Sequence, residues 1–251
     1  MGRLTRTVAA AAALVTLAAP LTACGDSPDE PNQSGPAAAD LGPQVTAPQA
    51  PAVGPITDAD ALRAALPTAA DLPTGFARLP AVADPTPQPG EEPEPDRSTT
   101  NPTRCANVAD TVARQAPGAV VAAEENFTGP GFTSIDVDAA GYAGTGAADA
   151  FAAVQDTLRA CTAFTGTDAD GVSVQYRIAP LPQPVVGDAA TAVRLTTTSE
   201  GFTLVSEVVL AVIDSTVVQV VATGPDGTDG ALATGVARTA TERLHAASPA
   251  S

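Results

Sequence analysis

Histidine and lysine, two of the side chains most often used as catalytic bases, are scarce in this sequence. The 251 residues contain one histidine, His245, and all 12 basic residues are arginine. A Ser-His-Asp or Cys-His site needs a histidine that a third group orients. His245 falls in the last turn of a predicted C-terminal helix, where we expect it to interact with the helix C-terminus. The motifs G-x-S-x-G, H-E-x-x-H and C-x-x-C and a Gly-rich phosphate loop are also missing. We therefore predict no catalytic residue, no enzyme activity and no cofactor.

Acidic residues offer one alternative to that prediction. Glu124, Glu125, Asp136 and Asp138 lie on two predicted strands, and a pair of carboxylates can hydrolyse a glycosidic bond. A hydrolase of the cell envelope is therefore an alternative, although polar-face strand positions explain all four residues. The stretch DADG at 168–171 is similar to the start of a Ca²⁺ loop but lacks the later glutamate. We predict no metal site.

Cys24 stands in a context that predicts lipid attachment. Arginines precede an apolar run at 8–19, which is too short to span a bilayer but suits the core of a signal peptide. Leu-Thr-Ala-Cys follows at 21–24 and resembles the lipobox of bacterial lipoprotein signals. The resemblance implies cleavage of a signal peptide at 1–23, diacylglycerol on the Cys24 thiol with acyl chains such as palmitate, and a protein on the outer face of the cell membrane. An ordinary secretory signal with a chance cysteine is the alternative.

The chain after the signal divides by composition into a tether and one domain. Residues 24–56 are rich in proline and poor in core-forming residues, which predicts a disordered stalk. Residues 57–247 are numerous enough for one well-buried core, and 248–251 form a tail. Inside the domain, the stretch 80–103 contains DPTPQPGEEPEPD and predicts a mobile acidic loop.

Charge and composition limit the expected partners. The formal net charge of −16 repels phosphate backbones and anionic headgroups, so we expect no nucleic-acid partner. The lack of lysine, together with 24 Pro and 21 Gly, is typical of a high-GC genome, and with the lipobox it indicates an actinobacterium. The expected partners are the membrane, through the lipid at Cys24, and an unidentified small molecule, cell-envelope component or protein.

The apolar periodicity predicts an α+β fold. Helices are expected at 57–66, 104–118, 146–164 and 229–247. Segments rich in valine and threonine alternate as strands and are joined by short turns. These segments are 119–128, 132–142, 171–181, 190–199, 202–214 and 215–224. The order of elements predicts a single domain, with an antiparallel sheet of about six strands and helices packed on one face.

Two cysteines remain once Cys24 carries lipid. Cys105 and Cys161 lie on the apolar stripes of the predicted helices 104–118 and 146–164. In an oxidising compartment they form the one intramolecular disulfide still available. Two buried free thiols are the alternative.

One motif carries a family resemblance. The sequence AADLPTGF at 69–76, ahead of one cysteine-bearing helix and followed by a second, is similar to the PknH-like extracellular sensor domains of mycobacterial kinases and related lipoproteins. The resemblance covers about 57–247. It implies a sensor domain with a ligand cleft and no known catalytic residues. That family has two disulfides, whereas here Cys105 and Cys161 provide for one.

The predicted function follows from three features: the proline-rich tether, the resemblance to sensor domains and the lack of catalytic motifs. We expect a membrane-anchored extracytoplasmic lipoprotein with a non-catalytic, sensor-like domain that binds a ligand or a partner. A carrier of lipids or other hydrophobic molecules is the alternative, and such a carrier would retain hydrophobic cargo on purification.

Strand alternation suggests where a ligand could bind. If helices cover the sheet face that carries Val174, the opposite face carries Arg177, and Arg194, Glu207 and Gln219 join it. Valines between these polar residues would make the surface too apolar for a plain solvated face, which predicts a shallow groove with a few orienting polar groups. Ordinary cross-strand surface pairs are the alternative.

Overall fold

The computed structural model describes residues 39–80 and 97–248. The helices are α1 Ala59–Ala64, α2 Val112–Gln115, α3 Gly146–Ala160 and α4 Gly230–Ala247. The strands are β1 Ala77–Arg78, β2 Thr99–Asn101, β3 Val121–Thr128, β4 Ser134–Gly141, β5 Ala163–Thr167, β6 Ser173–Pro180, β7 Ala189–Ser199, β8 Phe202–Ile213 and β9 Thr216–Gly224. Within the described residues they form one antiparallel sheet of nine strands, ordered β1-β3-β4-β9-β8-β7-β6-β5-β2. The α+β class is confirmed, but the sheet has nine strands rather than about six.

The three strands that the sequence did not predict are short or follow a helix directly. β1 and β2 contain two and three residues, which is too few for an alternating pattern to be recognised. β5 begins at the end of the segment predicted as the helix 146–164 and continues beyond it to Thr167. Helix α3 ends at Ala160, and the threonines around Phe164 favour extended backbone.

Helices cover both faces of the sheet, so the prediction of one covered face is wrong. On one side of the sheet, helices α1 and α4 lie over β3, β8 and β9, and we call this side the α4 face. On the other side, α2 and α3 lie over β4, β8 and β9, and we call it the α3 face. In β8, Val209 belongs to the core on the α4 face and Leu210 to the core on the α3 face. The nearly continuous apolar run of β8 is the pattern of a strand buried on both sides.

The disulfide-linked segment, residues 103–116, is not the continuous helix predicted at 104–118. It contains a 3₁₀ turn at Thr103–Cys105 and the single helical turn α2. Asp110 and Thr111 stand between them, and such side chains compete for backbone hydrogen bonds and favour turns. The predicted burial is nevertheless observed, since Val108 is buried. Cys105 is bonded to Cys161 at the end of α3, with Cα atoms 5.7 Å apart.

Residues upstream of the predicted domain boundary at 57 already contact the domain. Val45 exchanges two hydrogen bonds with the side chain of Gln155 in α3, both 2.9 Å long, and Ala47 is buried. The part of the predicted tether from 39 to 56 therefore packs against the domain, because its backbone finds polar partners there. The predicted signal, Cys24 and the first part of the tether lie outside the described residues, as do 81–96 of the predicted acidic loop. Among residues 39–80 and 97–248, none of the helices combines the length and the hydropathy of a membrane-spanning segment.

Candidate functional site

A groove of about 790 Å³ runs beside the N-terminal half of α4. It lies between this helix, the segment 69–76 and the loop that joins β3 to β4. Its volume is within the range of about 300 to 1,000 Å³ that is typical of small-molecule sites. We call it the α4 groove, and it is lined by Asp71, Leu72, Pro73, Phe76, Pro130, Thr133, Gly227, Thr228, Asp229, Ala231, Leu232, Gly235 and Val236.

Helix α4 forms one wall of the α4 groove with a mixture of large and very small residues. Leu232 and Val236 are one turn apart and present apolar surface, and Ala231 and Gly235 alternate with them. Apart from its chain neighbours and the backbone of its own helix, a Cβ atom at Gly235 would meet no heavy atom within 4 Å. The missing side chain at this position therefore leaves part of the groove open.

The segment 69–76 forms the opposite wall, and its own hydrogen bonds fix its shape. The Oδ2 atom of Asp71 accepts hydrogen bonds from the backbone N–H and the hydroxyl group of Thr68, both 2.8 Å long. This capping arrangement holds a 3₁₀ turn that delivers Leu72 to the groove. Phe76 lies so close to Gly129 that a Cβ atom there would clash with its ring. The motif AADLPTGF at 69–76, which carried the family resemblance, therefore forms a wall of the groove.

Phe132 belongs to the loop that borders the α4 groove. Its neighbours Pro130 and Thr133 line the groove, and its side chain is 92 % exposed. The backbone of Phe132 has φ 61°, which is an uncommon conformation for a bulky residue and a strained one. A strained and exposed aromatic side chain beside an apolar groove is a candidate for contact with a ligand.

Carboxylates carry the charge at the α4 groove. Hydrogen bonds from Thr68, and to a smaller extent the charge of Arg243, hold the pKa of Asp71 below its usual value despite some opposing desolvation. Arg243 lies 3.4 Å from Asp71 Oδ2. Asp229 precedes α4 and accepts a hydrogen bond of 3.1 Å from the N–H of Ala231, which is favourable at a helix N-terminus.

Two of the four predicted ligand residues meet at a second cavity. Arg194 of β7 and Glu207 of β8 are cross-strand partners, with Nη2 and Oε1 3.1 Å apart. Glu207 is 2 % exposed, and its other oxygen accepts a hydrogen bond of 3.3 Å from Thr228. The pair lines a cavity of about 430 Å³, together with Gly230 and Ala233 of α4. The first turns of α4 therefore contribute to this cavity with one set of residues and to the α4 groove with another.

The other two predicted residues, Arg177 and Gln219, do not line this cavity. The prediction of a single shallow groove on an uncovered sheet face is therefore wrong. Glu207 pairs with Ala222, which places the even-numbered residues of β9 on the α4 face. Gln219 consequently points to the α3 face. Arg177 is on the same face as Arg194 but is exposed and does not line the cavity. The α4 helix covers the face that the prediction left open.

Asp138 is a buried carboxylate that holds the disulfide-linked segment on the sheet. Its Oδ1 atom accepts a hydrogen bond of 2.7 Å from the N–H of Val112, and its Oδ2 atom accepts one of 3.1 Å from Gln219 Nε2. Burial raises the pKa of Asp138 to about 7 against the effect of these bonds, and the charges of Glu124 and Asp136 raise it further. Both oxygens already have partners, which favours a structural role.

The carboxylates considered for a hydrolase are split between the two faces. Glu124 pairs across the strands with Asp138, while Glu125 points to the α4 face. There Arg78 donates two hydrogen bonds to Glu125, one of them 2.6 Å long, and Arg63 Nε lies 3.9 Å away. Glu125 is thus part of an ion-pair network on the other side of the sheet from the other three.

His245 was predicted to interact with the C-terminus of its helix. Instead, it pairs with a residue in a turn of the sheet. Its Nδ1 atom lies 2.8 Å from Asp214 Oδ2, in the turn between β8 and β9. Hydrogen bonding to Asp214, followed by the charge of that residue, raises the pKa of His245. Among the described residues, no three His, Cys, Asp or Glu side chains are placed to hold a metal ion.

The residues of the α4 groove were mostly missed by sequence reasoning. Strand alternation directs attention to sheet faces, whereas this groove lies between a helix and two loops. One available signal was Gly235, because an isolated glycine inside a helix commonly has a packing or functional reason. The other was Phe132, an aromatic residue directly after the turn-forming sequence Gly129–Gly131.

Comparison with known proteins identifies the fold. No family model and no curated protein matches this sequence. The crystal structure of the extracellular domain of PknH from Mycobacterium tuberculosis is 14 % identical, with a TM-score of 0.58 over 76 % of this chain and 98 % of that chain. An uncharacterised protein from Mycobacterium smegmatis, an Rv0999 ortholog, is 17 % identical over 79 % of this chain and 98 % of its own, with a TM-score of 0.37. The domain described here has the fold of the PknH extracellular domain, as the motif at 69–76 and the two later cysteines predicted.

Proposed function

We propose that this protein is a lipid-anchored extracytoplasmic lipoprotein whose domain binds a ligand without transforming it. The α4 groove carries the proposal, because it combines apolar walls, an open position at Gly235 and a few polar groups at the rim. Such concave and mostly apolar surfaces are the usual sites of small-molecule binding. The fold shared with an extracellular domain agrees with this placement.

The anchoring part of the proposal rests on Cys24 and its sequence context. Lipid attachment is tested by growing cells with labelled palmitate and comparing the protein with the Cys24→Ser variant. The label should be incorporated by the unchanged protein only, and the variant should be secreted or persist as an uncleaved precursor. Equal labelling of both proteins would contradict the assignment of Cys24.

The binding part is tested with a variant that fills the α4 groove. Gly235→Phe places a ring in the open space of this groove, while Gly235→Ala adds a single methyl group and serves as the matched control. Native mass spectrometry of protein purified from its host should show a bound small molecule, which Gly235→Phe loses and Gly235→Ala retains. Identical spectra for all three proteins would count against binding in this groove.

A carrier of lipids or other hydrophobic molecules is the second candidate function. The apolar residues Leu72, Phe76, Leu232 and Val236 of the groove walls favour it. A carrier would release its cargo to acceptor membranes, whereas a sensor domain would keep its ligand in exchange with the solution. Transfer of the bound molecule to vesicles, followed over time, separates the two functions.

A further inference from the structure

The walls of the α4 groove require a ligand with an apolar part. Leu72, Pro73 and Phe76 face Leu232 and Val236 across the groove. Burying the apolar part of a ligand between these walls removes it from water and is favourable. A fully polar ligand would gain little from these walls and would leave its own groups without partners.

The charged residues that line the groove are all acidic. Asp71 and Asp229 are the ionisable side chains among the lining residues, and no arginine or histidine is present among them. The lowered pKa of Asp71 keeps this carboxyl ionised at neutral pH. An anionic head group would therefore meet two carboxylates, whereas a cationic one would be attracted.

The arginine that contacts Asp71 already has other partners. Arg243 interacts with Asp71, and it donates hydrogen bonds to the backbone oxygens of Ala64 at 3.0 Å and Ala65 at 3.4 Å. The positive end of the α4 dipole lies at the same rim, but Asp229 accepts the N–H of Ala231 there. Neither group is free to neutralise an anionic ligand.

Two further features favour a cation. The net charge of −16 attracts cationic molecules over a long range. The ring of Phe132, between the lining residues Pro130 and Thr133 in the chain, is 92 % exposed, and an aromatic face can bind a quaternary ammonium or guanidinium group. On the basis of the binding function proposed above, we infer that the α4 groove selects a cationic amphiphile, with its apolar part between α4 and the segment 69–76 and its cationic head beside Asp229 and Phe132.

The inference is tested with three probes that share a dodecyl chain. Dodecyltrimethylammonium, dodecyl maltoside and dodecanoate are titrated, below their micelle concentrations, into the full chain carrying Cys24→Ser. The cationic probe should bind at least tenfold more tightly than dodecanoate, and its affinity should fall as salt is added. Gly235→Phe should abolish binding of the cationic probe, and Gly235→Ala should not.

A matched pair of charge variants isolates the role of the rim. Asp229→Asn retains a good helix cap but removes the charge. It should therefore lower the affinity for the cationic probe several-fold and leave the affinity for the uncharged maltoside unchanged. Asp170→Asn removes one charge from the exposed turn 168–171 and should have no effect. If dodecanoate binds as well as the cation and Gly235→Phe still blocks it, the groove binds ligands but the cationic class is wrong. If no probe shows binding that depends on Gly235, the inferred amphiphile class is wrong, and the native mass spectrometry described above decides separately whether the groove binds any ligand.

Discussion

The carboxylate of Asp138 accepts the backbone N–H of Val112 at 2.7 Å, which joins the middle of β4 to a residue 26 positions earlier in the chain. Burial raises the pKa of Asp138 to about 7, while an aspartate in an unfolded chain has a pKa near 3.9. The folded protein therefore binds this proton more tightly than the unfolded chain does. The contribution of Asp138 to stability is complete below the unfolded pKa and is lost as the pH rises through about 7.

Asp138→Asn should remove this pH dependence. The free energy of unfolding of the unchanged protein, minus that of the variant, should fall between pH 4 and pH 8 by about 4 kcal/mol. Glu124 and Asp136 are present in both proteins, so their own titrations largely cancel in the difference. Urea unfolding at a series of pH values measures it, and a difference that stays constant with pH would contradict the raised pKa.

The disulfide between Cys105 and Cys161 should contribute strongly to stability. It closes a span of 56 residues, and the chain-entropy model gives about 4 kcal/mol for a loop of this size. Replacing both cysteines by serine should lower the free energy of unfolding by this order. Peptide mapping without reduction should find the two residues linked, and alkylation of both thiols in unreduced protein would show that the bond is not formed.

Two glycines should respond in opposite ways to alanine. At Gly235 a Cβ atom enters open space inside helix α4, so Gly235→Ala should stabilise the protein by about 0.5–1 kcal/mol. At Gly129 a Cβ atom would clash with the Phe76 ring, so Gly129→Ala should destabilise the protein and disturb the wall of the α4 groove. Thermal unfolding of both variants tests the packing described here, and equal shifts in the same direction would contradict it.

His245 should titrate above the usual range of a histidine, because its hydrogen bond to Asp214 favours the protonated ring. The pairing of protonated His245 with Asp214 stabilises the folded protein. This stabilisation is present below the unfolded pKa of histidine near 6.5 and is lost as the pH rises through the raised pKa of the folded protein. Asp214 has φ 52°, which asparagine also tolerates, so Asp214→Asn should lower the pKa of His245 without unfolding the turn. NMR titration follows it directly, since the chain has one histidine. An unchanged midpoint in the variant would rule out this pairing.

Local features of the fold could be predicted from the sequence because each depends on a few neighbouring residues. The periodicity of Phe151, Val154 and Leu158 predicts α3 with its buried face, and all three are buried. The six longer strands follow from alternation and turn residues in the same way. The motif at 69–76 indicated the fold through resemblance, and it lines the α4 groove.

Features that depend on distant residues could not be predicted in this way. The face on which Gln219 lies depends on the register of β8 and β9, and a shift of one residue reverses every side chain. The α4 groove likewise depends on how the C-terminal helix packs beside the segment 69–76, more than 150 positions earlier in the sequence. Alternation within one strand contains no information on either relationship.

The paired hydrogen bonds between Gln155 and Val45 determine where the domain can be shortened. The amide group of Gln155 binds both the N–H and the C=O of Val45, as a neighbouring strand would, and Gln155 is only 1 % exposed. A chain trimmed to begin at Thr57 would lose both hydrogen bonds and the buried Ala47, and at about 0.5–1.5 kcal/mol for each hydrogen bond it should be less stable. The most stable form of the domain therefore starts upstream of Val45, within a proline-rich stretch whose composition resembles that of a linker.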